Sequence, residues 1–407
     1  VKKQTQEMTG LKSYKNANVF YGKNLELVKG KTILVDQGRI QGITDEQFEN
    51  SIDLHGDYVI PAFVNAHCHL GDTGAKELGV GLTLEEAVVY PNGLKHKYLA
   101  KITSEELTEA VRDGLKEMLK NGIILAADYR EGGLAGIQAV RQAQKGLPIH
   151  VMELGRPALT NADSTEAEFE KEIRSILEVS DGFGMGQIYA VSKERMKKIR
   201  SLCGDKIFSI HIAEGRSDCE KSKREYNQSE VERAAELETD FMVHLTHTDD
   251  HDKELLVKKK IPIVCCPRTN LILGDGFPEL DTFTRLGITW GLGSDNMMFT
   301  SPDLFREMDT ASRVIRGLGE KPDCMDFREC LKAATWSGAK SLKQDSELGS
   351  IEEGKSASFL AIRSGSWNLK HSHDVISSIV HRVGPEDIDY FLADGTEVIR
   401  KGEFLFE

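Results

Sequence analysis

Cysteine is scarce in this chain: 407 residues hold seven, an odd number. That excludes a disulfide framework, and Cys324 and Cys330 lack the paired spacing of a zinc-ribbon site. Cys265-Cys266 lie within an apolar run and read as core. No apolar stretch reaches the ~18 residues of a membrane span. The opening Val1-Lys2-Lys3-Gln4 has no apolar segment of a secretory signal. Together these absences make a reducing cytoplasm the expected location. Positive charge is in deficit as well, with 52 Lys and Arg against 65 Asp and Glu, a net −13. An acidic chain is a poor ligand for nucleic acid or an anionic membrane, so neither partner is expected. The basic run Lys258-Lys259-Lys260 is short and reads as a solvated helix end. No Gly-x-Gly-x-x-Gly follows a strand, which disfavours a dinucleotide enzyme. No fixed-period repeat is visible, which argues against a solenoid.

What is present is an ordinary globular balance, 40% apolar and 29% charged, unlike that of a disordered chain. The length fits two to three domains, or one large barrel with an appendage. Both ends read as strands. Thr32–Asp36, the turn Gln37-Gly38-Arg39 and Ile40–Ile43 form a hairpin signal, as do Tyr390–Ala393, Asp394-Gly395 and Val398–Arg400. Two β-rich ends around a different middle suggest one composite domain built from both termini.

The middle alternates. Apolar runs recur at Phe63–Ala66, Ile123–Ala127, Ile149–Met152, Gln187–Val191, Ile207–Ile210, Phe241–Val243, Ile261–Cys265 and Ile288–Leu292. Charge-rich helical segments lie between most of them, one starting at Ser104 with a capping-box pattern and one running from Glu166 to Val179. Eight β/α repeats fit a (β/α)8 TIM barrel better than a doubly wound sheet. The expected fold class is therefore α/β, with the barrel over residues 61–345 and the end domain drawn from 1–60 and 346–407.

In such a barrel the chemistry sits at the carboxyl ends of the strands. The first run ends His67-Cys68-His69, where positions i and i+2 of a strand point the same way. The fifth ends His211-Ile212-Ala213-Glu214, the sixth His244-Leu245-Thr246-His247, and the eighth is followed by Ser294-Asp295. Three imidazoles and one carboxylate make a site suited to Zn²⁺ or Fe²⁺ with room for a water. Each piece alone is a common structural feature; their order at matching strand ends carries the weight.

The chain resembles the amidohydrolase superfamily. It is most similar to the branch holding cytosine and guanine deaminases, methylthioadenosine/S-adenosylhomocysteine deaminases and triazine hydrolases. The resemblance rests on Ile60 through His69, His211 through Glu214, His244 through His247, Cys266-Pro267-Arg268-Thr269-Asn270-Leu271 and Gly293-Ser294-Asp295. Ala333-Ala334-Thr335 and Leu348 through Lys355 also fit. It implies a barrel plus a small composite β-sandwich domain. It implies His67, His69, His211 and Asp295 as ligands of one divalent metal, Zn²⁺ or else Fe²⁺. Glu214 would be the proton shuttle, and His244 would sit beside the metal. The fourth run offers no bridging Lys for a second metal; Glu153 is the alternative candidate for such a role, and His247 stays open between site and structure. Barrel enzymes of this branch are often homo-oligomers.

The implied reaction is hydrolysis of a small molecule. A bound divalent metal acidifies water, Asp295 can take a proton, and Glu214 can protonate a ring nitrogen and then a leaving amine. Deamination of an aminated heterocycle such as a nucleobase, nucleoside or pterin is the leading expectation. Hydrolysis of an amide or another C–X bond is the alternative. A non-catalytic scaffold would be expected to lack ligands, and none is lacking. Arg130 and Arg156, after the second and third runs, are candidates for a substrate carboxylate or phosphate, or for salt bridges to Glu131 and Glu153. Arg268 and Asn270, after the seventh, are further substrate candidates, with Asn270 alternatively a turn-former.

Overall fold

The structure, a computed structural model, describes residues 10–158 and 164–406. Parallel strands follow one another through Phe63–His69, Ile123–Arg130, His150–Gly155, Gly182–Gln187, Ile207–Ile212, Phe241–His244, Ile263–Cys265 and Trp290–Leu292. The chain then bends at Gly293-Ser294, and Asp295–Asn296 pairs back onto Cys68 and His69, closing the barrel. The bend is held by Asn65, whose Nδ2 donates to Ser294 Oγ (2.8 Å) while its Oδ1 accepts from Ser294 N (2.9 Å). Gly293 packs directly on the first strand: a Cβ there would lie 2.6 Å from His67 O.

The fourth strand differs from the sequence reading. Gln187–Val191 was the expected run, whereas the strand is Gly182–Gln187 and the chain turns at 188–191. The segment Gly-Phe-Gly-Met-Gly carries little β propensity, but the barrel needs its glycines. A Cβ on Gly184 would meet Tyr129 Cδ1 at 2.5 Å, and one on Gly182 would meet Ile207 O at 2.2 Å. Helices cover the outside as their caps dictate. Ser104–Lys120 starts at a Thr103/Glu106 capping box and Glu166–Val179 at a Thr165/Glu168 one. Lys258 and Lys259 close the helix Asp250–Lys259, with Lys260 as its cap.

The two ends of the chain share one sheet. Its order is Glu403–Phe404, Thr396–Arg400, Ile388–Ala393, Phe359–Ile362, Tyr58–Pro61, Lys12–Tyr21, Glu26–Asp36 and Arg39–Thr44, with Ile52–Asp53 also on Lys12–Tyr21. Phe359 pairs with Pro61 in register, so strands from opposite ends are direct neighbours. Tyr14, Val19, Ile33, Val59, Phe359 and Leu392 belong to a core of its own. Both expected hairpins form. Gln37-Gly38 and Asp394-Gly395 each have two residues at positive φ, the geometry of a tight hairpin turn. The two turns pack glycine to glycine: a Cβ on Gly395 would be 2.9 Å from Gly38 Cα. The C-terminal stretch is not all strand. Helix Val375–His381 lies on helices Leu304–Gly319 and Phe327–Ala333, and His381 Nδ1 is 2.7 Å from Asp309 Oδ1. No helix among the described residues is long and apolar enough to cross a membrane.

Candidate active site

The strand ends bring His67, His69, His211 and Asp295 together. One donor atom from each lies within 4.8 Å of the others, and all four side chains are buried. His67 and His69 point inward from one strand, at i and i+2. Asp295 sits just after the bend with φ +57°, a left-handed conformation that only a firmly held backbone imposes on a non-glycine residue. Its Oδ1 is 3.2 Å from His67 Nε2 and 3.4 Å from His69 Nε2. His69 Nδ1 donates to Glu131 Oε1 (3.0 Å) and His211 Nδ1 donates to the Met185 carbonyl (2.7 Å). These two bonds leave Nε2 of each ring free to ligate. Burial, then the positive charges of Arg156 and Lys95, push His67 well below the usual imidazole range; burial comes first for His69 and His211 too. The rings are therefore neutral, which is the ligating form. Asp295 Oδ2 is buried with no hydrogen-bond partner. Three neutral imidazoles, a carboxylate and an unpaired buried oxygen fit a divalent cation.

Glu214 and His244 stand beside this cluster. His244 Nε2 is 3.5 Å from Glu214 Oε1. Asn270 Nδ2 donates to His244 Nδ1 at 3.1 Å, so the imidazole proton belongs on Nε2, aimed at the site. The backbone at His244 (φ +79°) and Leu245 (φ +54°) is left-handed, which turns the ring in from the end of the sixth strand. Burial, followed by the negative charges of Asp295 and Asp275, raises Glu214 well above the usual carboxyl range. Burial lowers His244 to about 4. A carboxyl raised in this way, beside the imidazole, is suited to deliver a proton rather than only to pair with one.

A cavity of about 630 Å³ opens over the cluster and is lined by His69, His211, Glu214 and Asp295. The loop at 70–101 forms much of its wall, with Leu84, Val88, Tyr90, Pro91, Lys95 and His96. Of the substrate candidates, Arg156 lines the cavity. Its Nε donates to Gly184 O (2.7 Å) and its Nη1 is 3.4 Å from Glu131. Arg130 is not among the lining residues. It is 1% exposed and lies against Glu131 Oε2 (2.9 Å) and Asp128 (3.6 Å). Arg268 also faces away, donating to Ser301 O (3.0 Å) and lying 3.6 Å from Glu307. Asn270 is buried against His244 instead of lining the cavity. Glu153 is held by Arg141 (2.8 Å), away from the cluster. His247 is partly buried, with Gly276 close to its ring. Sequence reasoning passed over Glu131 as a metal-centre residue, although it follows the second strand by one position, as Glu214 follows the fifth by two.

A closed parallel barrel with such a cluster at the carboxyl ends of its strands defines a barrel hydrolase with a metal-binding centre. The amidohydrolase family profile matches residues 58–398, and the chain belongs to that family, whose members hydrolyse carbon–nitrogen and related bonds. An uncharacterised protein of Methanocaldococcus jannaschii is 35% identical over 389 residues, covering 93% of this chain and 97% of its own. A 5-methylthioadenosine/S-adenosylhomocysteine deaminase of Thermococcus kodakarensis is 27% identical over 94% of this chain and 92% of its own. Among solved structures, a zinc-bound adenosine deaminase of Xanthomonas campestris superposes with a TM-score of 0.85 at 19% identity, covering 97% of this chain and 94% of its own.

Proposed function

We propose that this chain is an aminohydrolase that replaces the amino group of an aminated heterocycle (nucleobase-, nucleoside- or pterin-like) by oxygen and releases ammonia. One divalent metal, Zn²⁺ in preference to Fe²⁺, is held by His67, His69, His211 and Asp295. The carrying observation is Glu214: a buried carboxyl, raised by burial above the usual carboxyl range, that lines the same cavity as the cluster and lies 3.5 Å from His244 Nε2. Aromatic amidines are poor electrophiles, and protonating a ring nitrogen is what such an acid contributes.

The metal, when bound, supplies a water acidified toward neutral pH. Asp295 accepts a proton at its carboxylate. Glu214 gives its proton to the ring nitrogen, takes the second proton of the water and passes it to the departing amine, and the proton held on Asp295 then restores Glu214. His244 donates from Nε2 to the attacking oxygen and orients it toward the reacting carbon, and Asn270 fixes that tautomer. Leu84, Val88 and Pro91 give one part of the cavity wall an apolar surface suited to a flat ring. Arg156 is the cationic group of the cavity wall nearest His211, suited to a substrate carboxylate or phosphate. The deaminase named above supports the ring class, and the zinc-bound fold neighbour supports the metal.

An ammonia-release screen over aminated purines, pyrimidines, pterins and their nucleosides tests the reading. Release from at least one ring, abolished by chelation and restored by Zn²⁺, is expected. Cleavage of amides or C–X bonds with no ammonia from any aminated ring would replace it with the alternative hydrolase reaction.

A further inference from the structure

The strongest unassigned feature is the carboxylate of Glu131. It is 9% exposed, yet four cationic or N–H groups converge on it. Oε1 accepts from His69 Nδ1 at 3.0 Å, lies 2.6 Å from Lys95 Nζ and 3.4 Å from Arg156 Nη1; Oε2 is 2.9 Å from Arg130 Nη2. Lys95 is itself only 2% exposed. It belongs to the helix Leu94–Leu99, in the loop at 70–101 that walls the cavity, whereas Glu131 follows the second barrel strand. An ammonium group taken this far from water costs several kcal/mol unless it is paired. The loop therefore rests in this position only while Glu131 offers it a charge. The same oxygen orients the imidazole of His69.

We propose that Glu131 is the positioning residue of the metal centre and that Lys95 straps the loop at 70–101 to it, so that a single carboxylate couples seating of the loop to retention of the metal. The proposal rests on the metal-site reading above. A carboxylate on the outer nitrogen of a ligating histidine fixes its tautomer and raises its basicity, and losing such a partner costs ~10–100-fold in metal affinity. The strap adds a kinetic effect. With Lys95 in place the loop stays seated on Glu131 beside His69; without it the loop is released and metal leaves faster.

The test uses the full chain loaded with Zn²⁺ or Co²⁺. Glu131→Gln keeps the shape and an acceptor but removes the charge. It is expected to weaken metal binding ~10–100-fold in chelator competition and to shift the visible spectrum of the cobalt form. Lys95→Met is expected to speed metal release and hydrogen exchange across residues 84–100. Replacing a buried ammonium by an apolar chain of similar length is compatible with folding. Because Glu131→Gln leaves Lys95 buried without its partner, the double variant Lys95→Met/Glu131→Gln guards against simple misfolding. It is expected to release metal no faster than Glu131→Gln alone, since both changes act through one carboxylate. The exposed Lys76→Ala on the same loop is expected to change neither rate nor affinity. Wild-type affinity and an unshifted cobalt spectrum in Glu131→Gln would overturn the positioning role, and additive effects in the double variant would overturn the coupling. A wild-type chain that binds no metal would instead remove the metal reading itself.

Discussion

His150 and Asp394 lie 244 residues apart in the chain, yet their Nε2 and Oδ2 atoms meet at 2.6 Å across the boundary between barrel and sheet. His150 begins the third barrel strand, at the end opposite the metal cluster; Asp394 is in a hairpin turn of the sheet. The hydrogen bond that His150 donates to Asp394 raises His150 above the usual imidazole value, with burial opposing. Burial acts to raise Asp394, but His150 and Ser356 override it and hold it low. A histidine raised in the folded state stabilises fully below its unfolded pKa of ~6.5, and this is lost as pH climbs through the folded value. The pair is about half exposed, so its worth is at most ~1 kcal/mol. Thermal unfolding of wild type and His150→Gln should differ most between about pH 5 and 6.5 and converge above about pH 8. A difference that stays constant across that range would refute the pairing.

His67→Ala, His69→Ala, His211→Ala and Asp295→Ala are each expected to lose bound metal or turnover. All four donors converge within 4.8 Å, and removing one opens the set. Metal analysis alongside the ammonia assay checks this; full metal and full turnover in any two variants would remove the centre as described.

Glu214→Gln should keep its metal, because Glu214 is not in the donor set. Turnover should fall ~10²-fold or more while KM changes little, the pattern of a group acting in the transition state. Near-normal turnover would leave the deaminase reading without its proton donor, as would a leaving group that needs no proton.

Gly293→Ala should destabilise the fold by ~1–3 kcal/mol, through overpacking against the first strand. The added methyl would meet His67 O at 2.6 Å and His67 Cβ at 2.7 Å, so metal affinity should drop as well. Chemical denaturation and chelator competition on the same sample separate the two effects. Unchanged values in both would mean that the bend at 293–294 relaxes freely.

The barrel was legible because its strands are continuous apolar runs ending in residues that apolar runs do not otherwise need, as at His67-Cys68-His69. The fourth strand was missed because glycine, chosen there so that Gly184 can lie against Tyr129, erases the hydrophobic signal. The arginines were ambiguous for a different reason. A guanidinium in a strand-end loop reads the same whether it faces solvent, substrate or an acid. Packing turned Arg130 onto Glu131 and Asp128 and left Arg156 at the cavity. The contact of Lys95 with Glu131 joins two loops 36 residues apart, a distance that no local pattern encodes.

The pairing of Phe359 with Pro61 carries a consequence for biosynthesis. Strand Tyr58–Pro61 is made before its antiparallel neighbour Phe359–Ile362, with 297 residues between them. At ~5–20 residues per second this is a wait on the order of 15–60 s. Throughout that interval one edge of the nascent N-terminal sheet lacks its mate while the entire barrel is being made. An edge of that kind is a template for pairing with foreign chains. Until Phe359–Ile362 is made, strand Tyr58–Pro61 therefore stays an edge open to foreign strands.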